Sequence, residues 1–158
     1  MPADDCPCTS GLRYRDCCRP FHQREREAPT PEALMRSRYA AFARKDAAYL
    51  LHTLHAGHPD RQRPEAEMRK AIQASTAAFR YLGLSILDQR PADAAGVAQV
   101  LFYARIFEKG RDRSFVELSD FAHDGAGWRY IDGELLQTAG MKGDPKALTI
   151  ATFTLATG

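Results

Sequence analysis

The sequence predicts an α+β fold in which helices cover one face of a curved antiparallel sheet, with a small cysteine-rich head in front. Three observations predict it. All four cysteines of the 158-residue chain fall between Cys6 and Cys18. Apolar residues then recur at helical spacing as far as about Phe79. Beyond that point the period changes from 3.6 to 2, and turn signals divide the remainder into a meander. Helices first and hairpin-linked strands second is the order of an α+β domain.

Residues 1–28 form the head, rich in Cys, Pro, Asp and Arg. The charged stretch Gln23-Arg24-Glu25-Arg26-Glu27 leads into Ala28-Pro29-Thr30-Pro31. Thr30 is a good N-cap and Pro31 sits at the first helical position, so a helix is predicted from Pro31 to about Arg44. Leu34, Met35, Arg38, Tyr39, Ala41 and Phe42 define its buried stripe. Asp46 can cap a second helix, Ala47 to about Leu54. A turn follows at Ala56-Gly57-His58-Pro59-Asp60, then a third helix from Pro64 to about Phe79. Strands are predicted over Tyr81–Asp88 (Leu82, Leu84 and Ile86 on one face), Gly96–Lys109, Arg113–His123 and Gly127–Asp132. The main domain therefore spans 29–137. In the tail, 138–158, the segment Leu148–Leu155 reads either as an edge strand or as a loose end, and periodicity does not decide. The sequence contains no internal repeat.

Hydrophobic residues make up 44% of the chain, enough for the main body to fold without a metal. The formal net charge of +2 is too small to imply nucleic acid or membrane as an obligatory partner. No apolar run approaches the roughly 20 residues that cross a bilayer. The acidic start, Met1-Pro2-Ala3-Asp4-Asp5, lacks the apolar core of a signal peptide. The expected location is the cytoplasm, where thiols stay reduced, and this favours metal over disulfide for the cysteines.

The head reads Cys6-Pro7-Cys8-Thr9-Ser10-Gly11-Leu12-Arg13-Tyr14-Arg15-Asp16-Cys17-Cys18. Cys6-Pro7-Cys8 can present two thiolates from one knuckle. Ser10-Gly11 reverses the chain, which returns with two more. Cys6, Cys8, Cys17 and Cys18 are thus the expected ligands of a structural zinc ion, whose binding supplies folding energy to a segment too short to bury a core. Arg13, Arg15 and Arg19 could offset the charge of four thiolates. Two alternatives stay open: disulfides, and a site in which His22 replaces one cysteine. A redox role has less support, because this is not a Cys-x-x-Cys motif at a helix start.

The head resembles the SEC-C motif, a small zinc-binding module. Its continuation through Pro20-Phe21 and Ala28-Pro29-Thr30-Pro31-Glu32-Ala33-Leu34-Met35-Arg36-Ser37-Arg38-Tyr39-Ala40-Ala41-Phe42 is similar to the YchJ family of bacterial proteins. Glu117-x-Ser119-x-Phe121 and Trp128-x-Tyr130-Ile131-Asp132-Gly133 resemble that family's two later motifs. The resemblance covers residues 6 to about 134. It implies a zinc-binding head on a cone of the nuclear-transport-factor-two-like type. Three departures stand out. Thr9 replaces a glycine, Val116 replaces a histidine before the glutamate, and the tail lacks the second SEC-C motif that some members carry.

Cones of this type can bind small molecules between helices and sheet. Phe115, Glu117, Ser119 and Phe121 share one strand face, which is expected to meet the helices. Burying Glu117 alone is costly, so Arg38, or Arg105 if inward, is its expected partner. The favoured reading is a buried Glu117–Arg38 ion pair. The competing one makes Glu117 a general base or ligand-orienting carboxylate helped by His55 or Tyr39. Ligand-binding candidates are Arg38, Glu117, Ser119 and Trp128, although Trp128 and Tyr130 also fit the core. His52, His55 and His58 read as a polar helix end rather than a metal cluster, and His123 as a solvated turn.

The functional expectation is a cytoplasmic adapter whose zinc head contacts a protein, since the secretion ATPase's SEC-C motif contacts a chaperone and phospholipid; the sequence favours no enzyme activity without deciding the point. The alternative is a small-molecule binder or an isomerase- or dehydratase-like enzyme using the cone. A ribosome- or RNA-associated role rests only on the arginines around the metal. A homodimer is open, with no surface assigned to it.

Overall fold

The computed structural model describes residues 3–157. Its helices are α1 (Arg19–His22), α2 (Pro31–Arg44), α3 (Ala47–His52), α4 (Glu65–Thr76) and α5 (Ile150–Thr157). Its strands are β1 (Phe79–Arg90), β2 (Ala98–Glu108), β3 (Arg111–Asp112), β4 (Phe115–His123) and β5 (Trp128–Gln137). They form an antiparallel sheet in the order β1-β2-β4-β5, with β3 folded back on the end of β2. The α+β class and the helix-then-meander order are as the sequence predicts.

Local chemistry sets the element ends. Thr30 Oγ1 accepts the Ala33 amide at 3.0 Å to start α2, and Lys45, at φ 58°, ends it. Asp46 caps α3 by accepting the Tyr49 amide at 3.1 Å. This helix stops at His52, short of the predicted Leu54, because the next residues join β5: Tyr130 N donates to Thr53 O and His55 N to Tyr130 O, both at 2.8 Å. α4 ends at Thr76 because Phe79 already pairs with Glu108 in the sheet.

Shifts of register redirect side chains. In β1 the pairing skips Leu82, so Tyr81 and Leu84 oppose Ile106 and Ala104 and share a face although three residues apart. Leu82, predicted to lie with Leu84, is instead 38% exposed. In β5 the pairing skips Ile131, which places Tyr130 opposite Phe121 and Gly133 opposite Ser119. The concave face thus presents Tyr130 and Gly133 beside Glu117.

The tail is neither strand nor loose end. α5 packs on the convex face, where Ile150 and Phe153 join Leu101, Val116 and Leu118 in a second core. Asp88 Oδ2 accepts the Ile150 amide at 2.8 Å and fixes the helix start on β1. Helices therefore cover both faces of the sheet rather than one. The helix carries three threonines in its eight residues, so β-branched composition hides a helix defined by its packing.

Candidate metal centre and ligand chamber

The head is a tight double reversal. Thr9 (φ 59°) and Gly11 (φ 89°) both lie in the left-handed region. Thr9 is not glycine, and its hydroxyl clips the turn to the sheet: it accepts the Leu84 amide at 3.0 Å and reaches Leu84 O at 3.2 Å. A 3-10 turn, Tyr14–Asp16, then delivers Cys17, and Cys18 enters α1.

The four sulfurs lie within 4.8 Å of one another, and all four cysteines are free. Cys8 and Cys17 are 3.6 Å apart, Cys17 and Cys18 3.9 Å. A tetrahedral ion with Zn–S near 2.3 Å requires S···S edges of about 3.8 Å, so the cluster has the dimensions of a four-thiolate site. Cys6, Cys8 and Cys18 are at most 1% exposed, and Cys17 is half-buried. Contacts with Cys6 and Cys8, together with burial, push the Cys18 thiol up. Cys8 is pulled down because Cys18 and Cys6 direct hydrogen bonds at it. Such crowding of acidic groups is what a divalent cation relieves. Arg13 and Arg15 are engaged elsewhere, with Asp4 (3.0 Å) and Asp16 (3.8 Å). Arg36 of α2 reaches the head instead, donating to Cys8 O at 3.2 Å.

His22 is not placed as a ligand. Tyr14 OH donates to its Nδ1 at 2.6 Å and its Nε2 donates to Ser37 O at 2.8 Å. Burial holds this imidazole below its ordinary pKa, in the neutral form those two bonds require. Its ring packs at 4.7 Å on Tyr49, whose hydroxyl meets Ser37 Oγ at 2.7 Å. The histidine is a strut between head and cone.

Between α2, α3, α4 and the concave sheet lies a chamber of about 590 Å³. Its wall is mostly apolar, with Met35, Phe42, Met68, Ile72, Phe102 and Ile106 among the lining residues. Arg38, Glu117 and Tyr130 also line it, and His58, Asp60 and Arg63 contribute from the loop between α3 and α4. Ser119 and Tyr130 both donate to Glu117 Oε2, the latter at 3.2 Å. Gly133 makes room for this carboxyl, since a Cβ there would strike it and would lie 2.8 Å from the Tyr130 hydroxyl. Burial holds Glu117 above the usual carboxylate range, outweighing those hydrogen bonds and the charge of Arg38.

Arg38 is 6% exposed. Its Nη1 donates to Leu50 O (3.0 Å) and Thr53 Oγ1 (2.6 Å), and its guanidinium sits 4.7 Å from the Tyr130 ring centre. No ion pair joins it to Glu117 among the described residues. The expected Glu117–Arg38 clamp is replaced by two polar groups facing one cavity. The α3 carbonyl and Thr53 hold the arginine, and Ser119 and Tyr130 hold the glutamate.

The other candidates fall away from the chamber or are committed. His55 does not line it, and its Nδ1 accepts the Gly57 amide at 3.1 Å. Tyr39 lines it, but its hydroxyl both donates to Gly83 O and accepts Gly83 N, at 3.1 Å. Trp128 stands at the β4–β5 hairpin with its ring edge against His123, 5.4 Å away, and is not a lining residue. Ser119 is fully buried and donates to Glu117. Arg105 is exposed. Val116 is buried under α5, so a histidine there would not face the chamber either. His52 pairs with Glu27 at 3.2 Å, and His58 caps its own turn through Asp60 N at 3.1 Å. Tyr130 and Thr53 are the positions sequence reading missed, because the β5 register shift and the α3–β5 bridge that aim them have no periodic signal.

An NTF2-like α+β cone with a chamber behind its sheet and a four-cysteine head is the class of protein these features define. The comparisons narrow it. The family model for YchJ, middle NTF2-like domain, matches residues 30–133. The YchJ protein of Shigella dysenteriae serotype 1 is 39% identical over 128 residues, which is 81% of each chain. The chain belongs to the YchJ family. Two solved structures agree with the fold. A SEC-C motif containing protein from Rhodopseudomonas palustris has TM-score 0.68 at 34% identity, over 84% of this chain and 98% of that one. Another from Psychrobacter arcticus has TM-score 0.65 at 25% identity, over 90% and 88%.

Proposed function

We propose that the protein binds a small organic molecule in the cone, and that a structural zinc ion on Cys6, Cys8, Cys17 and Cys18 braces the helix that forms one wall. The observation that carries the first part is the chamber of about 590 Å³, apolar but with Arg38 and Glu117 on its wall. That volume is in the range of sites for drug-sized ligands, roughly 300–1,000 Å³. The four-sulfur geometry and the SEC-C relatives support the second part. Zinc there supplies folding energy rather than chemistry, because four protein thiolates leave no open position. Four free thiols suit a reducing compartment such as the cytoplasm.

Two measurements test this reading. Elemental analysis of protein purified under reducing conditions should find zinc in proportion to chain, and metal-free folded protein would refute the metal site. A thermal-shift screen of small organic compounds should give hits that disappear in Ala71→Trp, which fills the chamber from α4. Hits that survive the filling would place binding elsewhere.

A second reading is an adapter whose head grips a protein partner. Leu12 favours it, standing 54% exposed at the head's turn beside Arg13 and Arg15. Partner capture from extract should then need both the metal and Leu12, and capture by a Leu12→Glu variant would end this reading.

A further inference from the structure

We propose that the chamber's ligand is a monocarboxylate with an apolar body, its carboxylate held by Arg38 and met by the free oxygen of Glu117. The inference rests on the reading of the chamber as a ligand site and names the ligand's chemistry.

The first argument is the unused edge of Arg38. Only Nη1 of its guanidinium has partners among the described residues. Among the described residues no buried side-chain nitrogen or oxygen is left without a partner. Nε and Nη2 are therefore not sealed in protein, and on a residue that lines the chamber they open into it. This Nε–Nη2 edge presents two parallel N–H donors, the arrangement that matches the two oxygens of a carboxylate. A buried arginine would satisfy this edge with protein carbonyls if its task were structural alone.

Charge is the second argument. Arg38 is cationic, and no carboxylate lies within ion-pair distance among the described residues. The other cation on the wall, Arg63, pairs with Asp60 (3.5 Å) and Glu67 (3.1 Å). With Glu117 in the neutral form that burial favours, Arg38 has no close counterion, and a single negative charge on the ligand supplies one. A phosphate dianion would leave a surplus, and an amine would add to the imbalance.

Glu117 completes the site. Both donors that fix it, Ser119 and Tyr130, bind the same oxygen, Oε2. By the same reasoning Oε1 opens to the chamber. Burial favours the neutral acid, which can donate from Oε1 to a bound carboxylate. The bound state then holds one cation, one anion and one neutral acid. Apolar side chains such as Phe102, Ile106 and Met68 receive the rest of the ligand.

The test is calorimetry with the full chain under reducing conditions, at one pH near neutrality. The probes are 4-phenylbutyrate, 4-phenylbutanol, 4-phenylbutylamine and acetate. The butyrate should bind at least tenfold more tightly than the alcohol, with no measurable binding of the amine or acetate. In Arg38→Met the preference for butyrate over the alcohol should vanish. Should that variant fail to fold, Arg38→Gln decides. Its amide can still donate to Leu50 O or Thr53 but carries no charge, so the preference for butyrate should vanish there too. A preference for butyrate that survives in folded Arg38→Met or Arg38→Gln overturns the proposal. Equal affinity for butyrate and alcohol in the wild type also overturns it, while leaving the chamber a ligand site. If neither probe binds, the reading of the chamber as a ligand site falls with it.

Discussion

Replacing His22 with phenylalanine separates a strut from a metal ligand. Phenylalanine keeps the ring on Tyr49 but removes both nitrogens, so the Tyr14 hydroxyl loses its acceptor and Ser37 O loses one of its donors. Ser37 O lies mid-helix and keeps its α-helical bond, so its loss costs about 1 kcal/mol. The half-buried Tyr14 hydroxyl adds a further ~1–2 kcal/mol. The sum, about 2–3 kcal/mol, corresponds to a fall in melting temperature of roughly 4–12 °C for a chain of this size. The metal content should equal that of the wild type. pH gives a second signature. Burial lowers the His22 pKa in the folded protein, so the unfolded chain takes up a proton first on acidification. The stabilisation is therefore complete above the ordinary value near 6.5 and is lost as pH falls from there through the folded pKa. His22→Phe should lose less stability than wild type across that window. Thermal melts between pH 5 and 8 and elemental analysis check both points. Loss of metal in the variant, or a melting temperature within about 1 °C of wild type, would refute the strut.

Other perturbations have equally definite outcomes. Thr9→Ala removes the hydroxyl that holds the Leu84 amide and should cost about 1–3 kcal/mol in urea denaturation, with Thr9→Ser recovering most of it. Phe153→Ala empties a fully buried position under α5 and should cost about 3–5 kcal/mol by the same assay. Glu117→Gln removes a group whose folded pKa is raised. Wild-type stability should fall as pH rises from the unfolded carboxylate value through that raised pKa, and the variant should not show this fall. Parallel pH–stability curves would mean that Glu117 titrates normally.

The physics of each segment decides how much of this was legible in the sequence. Caps are local and chemical, so Thr30, Pro31 and Asp46 gave away the starts of α2 and α3. Strand alternation located Glu117, Ser119 and Phe121 on one face because β4 carries that face without a bulge. Where pairing skips a residue, alternation misleads: it puts Leu82 on the same face as Leu84, and it leaves Tyr130 a residue that fits the core. Arg38 and Glu117 were both singled out, yet their relation was not readable. Whether two polar groups touch or face each other across a space depends on how far the α4 helix and the sheet stand apart. α5 was invisible for another reason, since its helix is a consequence of the apolar convex face it covers.

Three consecutive residues of α2 tie the head to the chamber, and metal removal should expose that tie. Arg36 donates to Cys8 O, Ser37 O accepts from His22, and Arg38 turns the other way into the cavity. Without a cation the four thiols remain as a crowded, buried acidic cluster, whose relaxation loosens the turn at Thr9 and its bond to Leu84. Arg38 has a second anchor, on Leu50 O and Thr53 of α3, while the pairing of β4 with β5 and the packing of α5 on β4 owe nothing to the head. Hydrogen exchange after chelation under reducing conditions should therefore accelerate in residues 5–22, at Leu84 and in the first half of α2, and stay slow in β4 and β5. Equal acceleration in every strand would mean that head and cone open as one unit, and unchanged exchange at Leu84 would mean that the head sits on the sheet without bracing it. The predicted gradient is what distinguishes a metal that stiffens one wall of a ligand chamber from one that folds the whole chain.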